Sequence, residues 1–361
     1  MTNLFDSYTS RIKNALQQDR LEKAETTKYI NFSNQSLRNL NEVNTLPKRF
    51  GFKPESSLLT LQSVILPQNA SEARIGEHPD FRHLKGTDNT SYHYITSVFI
   101  DIKGSTSLND KYDLDTIYLI TNTVQSAAIH VCLIFGGHIQ RLQGDGVFVY
   151  FGGKNITHKD AVTNAVSAAS LFTYFVKNDL QSIFEEEGVE NICTRTGIDF
   201  GDDDQVLWAN FGVGECTELT TLSLHTSLAA KMQSYAPKNG IVLGQNVKDK
   251  LDVEENLFDY VRNSKGEITQ RYIYIGKAKG LYYTQYKFDW QKFLKNLPFI
   301  KADSEGKLFV QTKENAEKDR LHQLAQIAAI INSNDAYTAP NGNIVQDATF
   351  VKNQEHRFHH E

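Results

Sequence analysis

The order of apolar segments between residues 92 and 288 constrains the fold most strongly. A strand pattern, "YHYITSVFID", is followed by a long helix pattern, "LDTIYLITNTVQSAAIHVCLIF". Strands at "GGHIQRLQ" and "GVFVYFGG" then precede a second long helix, "KDAVTNAVSAASLFTYFVKNDLQSIFEEEG". Further strands and a third helix complete the order β-α-β-β-α-β-β-α-β. This order predicts an α+β fold, a ferredoxin-like split βαβ sheet covered by helices on one side.

The flanks differ in character, and we predict that they are helical extensions of this central domain. Residues 1–91 begin with a helix, in which Tyr8, Ile12 and Leu16 recur at helical spacing, and continue as an irregular, proline-punctuated segment. Residues 92–288 form the predicted catalytic domain. Residues 289–361 contain one amphipathic helix, with a stripe from Leu321 to Ile331, and a polar tail whose histidines are attributed to a solvated terminus.

Composition excludes several classes of protein. The 361 residues are 40% hydrophobic and 22% charged, and the net charge is -5. No basic field therefore points to nucleic acid or an anionic membrane. Cys132, Cys193 and Cys216 are too widely spaced for a zinc site or a disulfide framework, so we expect buried, reduced thiols. The N-terminus lacks the apolar core of a signal peptide and no apolar run approaches a membrane span, so we expect a cytoplasmic location.

Two aspartates stand at the ends of strand patterns. Asp101 closes the first strand and is followed by small residues, whereas Asp145 lies in "QGDGV" between the second and third strands. Each has a structural explanation, because Asp101 could cap the next segment and an Asp-Gly pair is a strong hairpin signal. In a β-α-β-β layout, however, the end of the first strand lies beside that hairpin, so the two carboxylates should meet.

Two neighbouring carboxylates repel each other unless a cation lies between them. Mg²⁺ suits such a site, because it takes hard oxygen ligands from one or two carboxylates and from substrate phosphates. The backbone from Ile102 through Gly104 and Ser105 to Thr106 would face the phosphates, and Gly104 permits close approach. Neither a GxGxxG following a strand nor a GxxxxGK[ST] loop occurs in the sequence.

These motifs resemble those of the class III nucleotidyl cyclases. "FIDIKGSTSL" is similar to the first metal motif of that family, and "RLQGDGVFVYF" is similar to the second. "TRTGIDFG", "ANFGVG" and "SLAAKMQ" resemble the next strands and helix in the same order. "YIGKAKGLYYTQYKF" resembles the closing strands, which carry a phosphate-binding lysine. The resemblance covers about residues 92 to 288.

The resemblance implies an enzyme that folds a nucleoside triphosphate over two Mg²⁺ or Mn²⁺ ions. Asp101, Asp145 and the Ile102 carbonyl would hold the ions, and attack of the ribose 3′-hydroxyl on the α-phosphate would give a cyclic nucleotide. It also implies a homodimer with sites at the interface, where each site combines the aspartates of one copy with residues of the other. Lys277 and Lys279 would bind phosphates there, although a solvated turn explains either lysine equally well.

The departures from the family concern base recognition. Where adenylate cyclases have a lysine, this chain has Arg141, and where they have an aspartate, it has Leu224. Their transition-state asparagine and arginine correspond to Ser227 and Lys231. A register slip in the preceding loop would bring a threonine into play instead. Lys231 would supply positive charge without the bidentate fork of an arginine.

These departures resemble the pyrimidine cyclases of the Pycsar antiphage system, in which a separate effector reads the cyclic nucleotide. Arg141 has only donors, which suit uracil better than cytosine, although a salt bridge would explain it too. We therefore predict a uridylate cyclase that makes cyclic UMP, with a cytidylate cyclase as the alternative. A catalytically inactive nucleotide sensor with the same fold is a third hypothesis. The acidic run from Asp202 to Asp204 is attributed to a turn.

Overall fold

The central strand of the main sheet carries Asp101 near its end. The computed structural model describes residues 5–30, 74–104, 106–188, 192–297, 300–304, 308–310, 337–338 and 344–345. Strand β2, Ile95–Lys103, follows the two-residue strand β1, Ser91–Tyr92, and is buried along most of its length. Its neighbours in the sheet are β4, Gly146–Phe151, and β5, Cys193–Gly201, both antiparallel to it.

The sheet has the predicted ferredoxin-like topology. Its core order is β5-β2-β4-β3, where β3 is His138–Gln143. The first and third strands of this four-stranded core, β2 and β4, therefore lie at its centre. Strand β8, Gly240–Gly244, adds parallel to β5. β11, Leu281–Phe288, and β10, Tyr272–Gly276, extend that side, and β9, Phe258–Tyr260, also pairs with β11. The predicted strand order is therefore confirmed.

Helices lie on both faces of the sheet. Helix α2, Leu114–Ile134, and helix α3, His158–Tyr174, pack together on one face. A π-helical turn, Phe175–Leu180, joins α3 to the short α4, Gln181–Glu186. Helix α5, Leu224–Tyr235, packs on β2 and β5 through residues that alternation assigns to the opposite face. The expectation that helices cover one side is therefore wrong for α5.

Close packing explains why β5 carries a glycine beneath α5. A Cβ at Gly197 would lie 2.1 Å from the carbonyl oxygen of Ala229. No side chain fits in that space, so the helix backbone rests directly on the strand.

A second, smaller sheet carries an element that the sequence analysis missed. Strand β6, Leu207–Val213, was predicted, and it forms a hairpin with β7, Cys216–Leu222, which was not. β1 pairs with the other edge of β6. Trp208 on β6 is fully buried and stacks on Phe81 with 4.0 Å between ring centroids. The segment before β1 is thereby packed against this sheet.

The predicted N-terminal helix is present as α1, Asp6–Ile30. Tyr8, Ile12 and Leu16 are buried, as their spacing indicates, and Phe5 stacks on Phe175 with 4.5 Å between ring centroids. Burial of each large apolar side chain stabilises such a contact by roughly 1.5–3 kcal/mol. α1 is thus packed against the same layer as α2. The rest of the predicted irregular segment, up to residue 73, lies outside the described residues.

Helix α2 is more apolar than expected. Its length and its mean hydropathy of 1.5 would allow it to cross a membrane, so the expectation that no run approaches a span was wrong. It contacts α1, α3 and the strands β3 and β4, and Val124, Ala127, Ala128 and Val131 are completely buried. This is the environment of a core helix.

The C-terminal part is described only in pieces. Helix α6, Gln245–Lys250, follows β8, and helix α7, Trp290–Asn296, follows β11. Strands β12, Ile300–Ala302, and β13, Leu308–Val310, form a two-stranded sheet. Residues 310–361 form a separate unit, in which β14, Tyr337–Thr338, pairs with β15, Ile344–Val345. The predicted helix around residues 321–331 and the terminal histidines lie outside the described residues.

Two of the three cysteines are buried, as predicted. Cys132 and Cys193 lie in the core, whereas Cys216 is exposed at the start of β7. The burial predicted for Cys216 was therefore wrong.

Candidate active site

Asp101 is held from two sides near the end of β2. It lies opposite Arg195 in the β2–β5 register, and its Oδ2 accepts a hydrogen bond of 2.6 Å from Arg195 Nη2. The same oxygen accepts 2.8 Å from Nε2 of Gln233 on α5. Across the described part of the chain, no hydrogen bond involves Oδ1, and the side chain is 32% exposed. One oxygen is thus fixed while the other is available to a cation.

Asp145 lies in the tight turn between β3 and β4. The register pairs Gln143 with Gly146, so Gly144 and Asp145 are the two central residues. Gly144 has a φ of +60°, as in a type II′ turn, which takes glycine at its first central position. The sequence predicted a hairpin turn from the pair Asp145–Gly146, whereas the central pair of the turn is Gly144–Asp145, one residue earlier. Gly146 is closely packed, since a Cβ there would lie 3.1 Å from the Ile100 carbonyl oxygen.

The β2–β4 register brings the two aspartate segments side by side. The last pair in this ladder is Ile100 with Val147. Continuing the ladder by one residue sets Asp101 beside Gly146, the immediate neighbour of Asp145. Adjacent strands are separated by about 5 Å, so the backbones of the two aspartate segments lie close together at this edge.

A cavity of about 500 Å³ opens beside Asp145. Its polar lining includes Thr106, Asn109, Asn122 and Gln125. This volume lies in the range of small-ligand sites. Of the predicted site residues, Thr106 and Asp145 line the cavity, whereas Asp101 does not.

The loop after β2 has the backbone that close approach to phosphates requires. Gly104 has a φ of +100°, a conformation that side-chain-bearing residues rarely adopt. Ser107 Oγ donates to the Gly104 carbonyl oxygen at 2.7 Å, and Thr106 begins a 3₁₀ turn that ends at Asp110. Ile102 is still paired with Thr194 in the sheet. Ser105 lies outside the described residues.

These residues fit a divalent cation. Asp101 Oδ1 and the Asp145 carboxylate are hard oxygen donors, and the cavity leaves room for phosphates and water. Arg195 and Gln233 occupy only the second oxygen of Asp101, which leaves this donor set intact.

Helix α5 presents its candidate residues away from Asp101. Ser227 and Lys231 are exposed one turn apart, and Ser227 Oγ donates to the Ser223 carbonyl oxygen at 3.2 Å. Gln233, which contacts Asp101, lies about 200° around the helix from Lys231. Leu224, the first residue of the helix, is 39% exposed. One chain therefore does not bring Ser227 and Lys231 together with Asp101.

Arg141 forms an ion pair that the sequence analysis raised only as its structural explanation. Its Nε donates to Glu218 Oε1 at 3.0 Å, and its Nη2 donates to Glu218 Oε2. Arg141 pairs with Phe148, and Phe148 pairs with Phe99, two residues before Asp101. The pair therefore lies on the Asp101 face of the sheet. It offers both donors and an acceptor, with the arginine side chain 49% exposed and the glutamate 34% exposed.

The turn between β10 and β11 carries the two candidate phosphate-binding lysines. It is a 3₁₀ turn from Lys277 to Lys279, and Lys277 is exposed. The Lys279 side chain lies outside the described residues. Three strand spacings separate β11 from β2, which corresponds to about 14 Å. Within one chain this turn is therefore remote from Asp101.

A buried polar network fixes the beginning of α5. Asp199 on β5 is fully buried, and its Oδ2 contacts His225 Nδ1 at 2.9 Å. Its Oδ1 accepts 2.7 Å from the Tyr283 hydroxyl, which accepts 3.0 Å from the Asn246 backbone amide. Burial raises the pKa of Asp199, against the opposing effect of its hydrogen bonds. Asp199 and Asp101, on one face of adjoining strands, thus hold the two ends of α5.

A second acidic group lies in the turn after β5. Ligand atoms of His158, Asp202 and Asp203 lie within 4.8 Å of one another. Lys250 Nζ is 3.1 Å from Asp202 Oδ2, and the Tyr94 amide donates to Asp203 Oδ1 at 2.9 Å. These contacts and the turn itself account for the acidic run, as predicted from the sequence.

Three contacts at the site escaped the sequence analysis. Arg195 and Gln233 on Asp101, and Glu218 on Arg141, are tertiary contacts between residues 77 to 132 positions apart. For Glu218 a signal existed, because "CTELTTL" is rich in β-branched residues and follows Gly214. A helix glutamine such as Gln233 carries no comparable signal.

Comparison with known proteins gives clear sequence relatives. The chain is 38% identical over 287 residues to a cytidylate cyclase of Staphylococcus aureus, covering 78% of this chain and 65% of the relative. It is 34% identical over 239 residues to a cytidylate cyclase of Escherichia coli, covering 64% of this chain and 51% of the relative. The chain thus spans about half to two thirds of these relatives.

Two further comparisons complete this result. The crystal structure of the adenylyl cyclase CyaB from P. aeruginosa matches with 21% identity and a TM-score of 0.45, covering 55% of this chain and 95% of that one. No family model matches the sequence.

Proposed function

We propose that this chain, which carries the class III nucleotidyl cyclase fold and is homologous to the cytidylate cyclases, converts a pyrimidine nucleoside triphosphate to a 3′,5′-cyclic nucleotide. The observation that carries the proposal is that the end of β2, with Asp101, adjoins the β3–β4 turn, where Asp145 lines a cavity. In the reaction, the ribose 3′-oxygen bonds to the α-phosphorus and the bond to the β-phosphate oxygen breaks. Pyrophosphate leaves, and the hydroxyl proton passes to water.

Each group of residues has a distinct role in this proposal. Asp101 and Asp145 would bind one or two Mg²⁺ or Mn²⁺ ions, together with the Ile102 carbonyl. A bound ion supplies Lewis acidity toward the 3′-hydroxyl and the triphosphate. Arg195 and Gln233 hold Oδ2 of Asp101, so Oδ1 would be the oxygen that binds the ion. The backbone from Gly104 to Thr106 would contact the phosphates through its amides.

The remaining candidates support a homodimeric enzyme with composite sites. Ser227, Lys231 and the Lys277–Lys279 turn do not reach Asp101 of their own chain, as the geometry of α5 and β11 indicates. We propose that they act on the substrate bound to the aspartates of a second copy. There Lys231 would place positive charge near the phosphoryl oxygens, which become more negative in the transition state.

The Arg141–Glu218 pair supports cytosine as the base. Cytosine presents an amine donor at its 4-position next to the N3 and O2 acceptors. Glu218 can accept from the amine, while the remaining guanidinium donors of Arg141 serve the acceptors. CTP, giving cyclic CMP, is therefore the leading substrate. UTP is the second candidate, because Arg141 alone matches the carbonyl oxygens of uracil.

A biological role follows from this chemistry as a further part of the proposal. A cyclic pyrimidine nucleotide is suited to a signal that a separate effector reads, as in antiphage defence. We propose a cytoplasmic location, where nucleoside triphosphates are available. The division of the chain at residues 91 and 288 stays a prediction.

Purified protein with Mn²⁺ should release pyrophosphate from CTP most rapidly among the four ribonucleoside triphosphates. Chromatography of the products should show cyclic CMP, and the reaction should stop when EDTA removes the metal. Cyclic UMP as the main product would favour the second candidate. A cyclic purine as the main product, or no pyrophosphate from any triphosphate, would contradict the proposal.

Glu218→Gln should shift the preference toward UTP. The amide replaces one carboxylate acceptor by a donor, which repels the cytosine amine and matches the uracil 4-carbonyl. Hydrogen bonds to charged groups contribute about 1.5–3 kcal/mol, so the ratio of kcat/KM for CTP over UTP should fall roughly 10- to 100-fold.

The matched control for this prediction is Glu215→Gln, an exposed glutamate in the turn of the same hairpin. It should leave the ratio unchanged. An unchanged ratio in Glu218→Gln as well would exclude Glu218 from base recognition.

A further inference from the structure

The turn that carries Asp145 is held by a glutamine from a different layer of the fold. Gln125 Nε2 on α2 lies 3.2 Å from the Gly144 carbonyl oxygen and 3.4 Å from the Gly146 carbonyl oxygen. These carbonyls flank Asp145 on both sides. The side-chain amide therefore bridges the turn at the residue that carries the carboxylate.

The turn needs such support from outside. Gly144 and Gly146 are the most permissive residues for backbone motion, and Asp145 between them is only half-buried. The β3–β4 ladder ends at the pair formed by Gln143 and Gly146, so strand pairing fixes the base of the turn and not its tip.

Helix α2 is a rigid anchor for this contact. Val124, next to Gln125, is completely buried, as are Ala128 and Val131 further along the helix. The backbone from which Gln125 projects is therefore fixed by packing. Through its amide, Gln125 fixes the turn relative to α2.

We infer that Gln125 is a positioning residue that holds the Asp145 carboxylate where it binds the metal. The inference rests on the proposed function. Gln125 is the counterpart of Gln233, so that each aspartate is steadied by a helix glutamine, one from each face of the sheet. Only a donor can serve here, because both partners of Gln125 are carbonyl oxygens.

The test uses two near-isosteric variants of the full-length protein, Gln125→Glu and Gln125→Met, neither of which can donate to the carbonyls. Mn²⁺ binding is measured without nucleotide from the electron paramagnetic resonance signal of the free ion. Loss of a partner that orients a metal ligand typically lowers metal affinity 10- to 100-fold, so both variants should bind Mn²⁺ at least about tenfold more weakly. Circular dichroism checks that the fold is retained.

The controls separate this inference from the proposed function. Gln181→Met removes a half-buried glutamine of α4 that donates to Glu185 at 2.9 Å, and it should bind Mn²⁺ as the wild type does. If Asp145→Asn loses Mn²⁺ while both Gln125 variants keep wild-type affinity, the role of Gln125 is refuted and the metal site stands. If Asp145→Asn binds Mn²⁺ as the wild type does, the proposed metal site fails and the inference with it.

Discussion

Asp145→Asn and Asp101→Asn should each abolish cyclisation while leaving the fold intact. Both substitutions keep the shape of the side chain and remove the negative charge that binds a divalent ion. Metal ions contribute several kcal/mol to the stabilisation of transition-state charge, so turnover should fall on the order of 10³-fold or more. Chromatographic measurement of cyclic nucleotide and pyrophosphate gives the rate, and thermal unfolding reports the fold.

The control for charge removal is Asp252→Asn. Asp252 is exposed and pairs with Lys159 at 2.8 Å, and such surface pairs contribute little to stability. This variant should keep wild-type activity. Full activity in either Asp101→Asn or Asp145→Asn would mean that the metal is bound elsewhere.

Mixing variants extends the same test to the composite site. Asp145→Asn and Lys231→Ala subunits should each be inactive alone. A mixed dimer contains one site with both residues intact if the site combines two copies, so mixing should restore part of the activity. Absence of recovery, with mixed dimers shown to form, would contradict the composite site.

The topology was predictable because its signals are local. The strand at "SVFID" and the helix from Leu114 show their periods within single segments, and the ferredoxin-like order then brings the end of β2 to the β3–β4 turn. The nearness of the strand end that carries Asp101 to the turn that carries Asp145 could be anticipated from connectivity alone.

The partners of the site residues could not be anticipated in the same way. Glu218 lies on β7, a strand that the sequence did not predict, so a salt bridge of Arg141 could be raised as an alternative but its partner could not be named. In the function proposed above, this pairing with a carboxylate is the reason for favouring cytosine over uracil. Contacts of this kind depend on how two sheets pack, and no single segment encodes that.

The buried network at Asp199 should have the largest effect on stability. Asp199→Leu removes the acceptor for the Tyr283 hydroxyl and the partner of His225, at a position with no access to solvent. Breaking a buried pair on one side costs about 3–5 kcal/mol, because the remaining polar groups stay buried without a partner. The melting temperature should therefore fall by roughly 10 °C.

Variants that leave fewer buried polar groups without partners should lose less stability than Asp199→Leu. Tyr283→Phe removes one hydroxyl, so it should cost about 1–3 kcal/mol by leaving the Asn246 amide and one Asp199 bond unmet. Asp259→Asn, at an exposed contact with Arg262, should change stability by less than about 0.5 kcal/mol.

Asp199 holds the start of α5, and Gln233 near its end holds Asp101, so Tyr283→Phe should also lower kcat more than it raises KM. Equal stability of Asp199→Leu and wild type in thermal unfolding would show that the network does not anchor the helix.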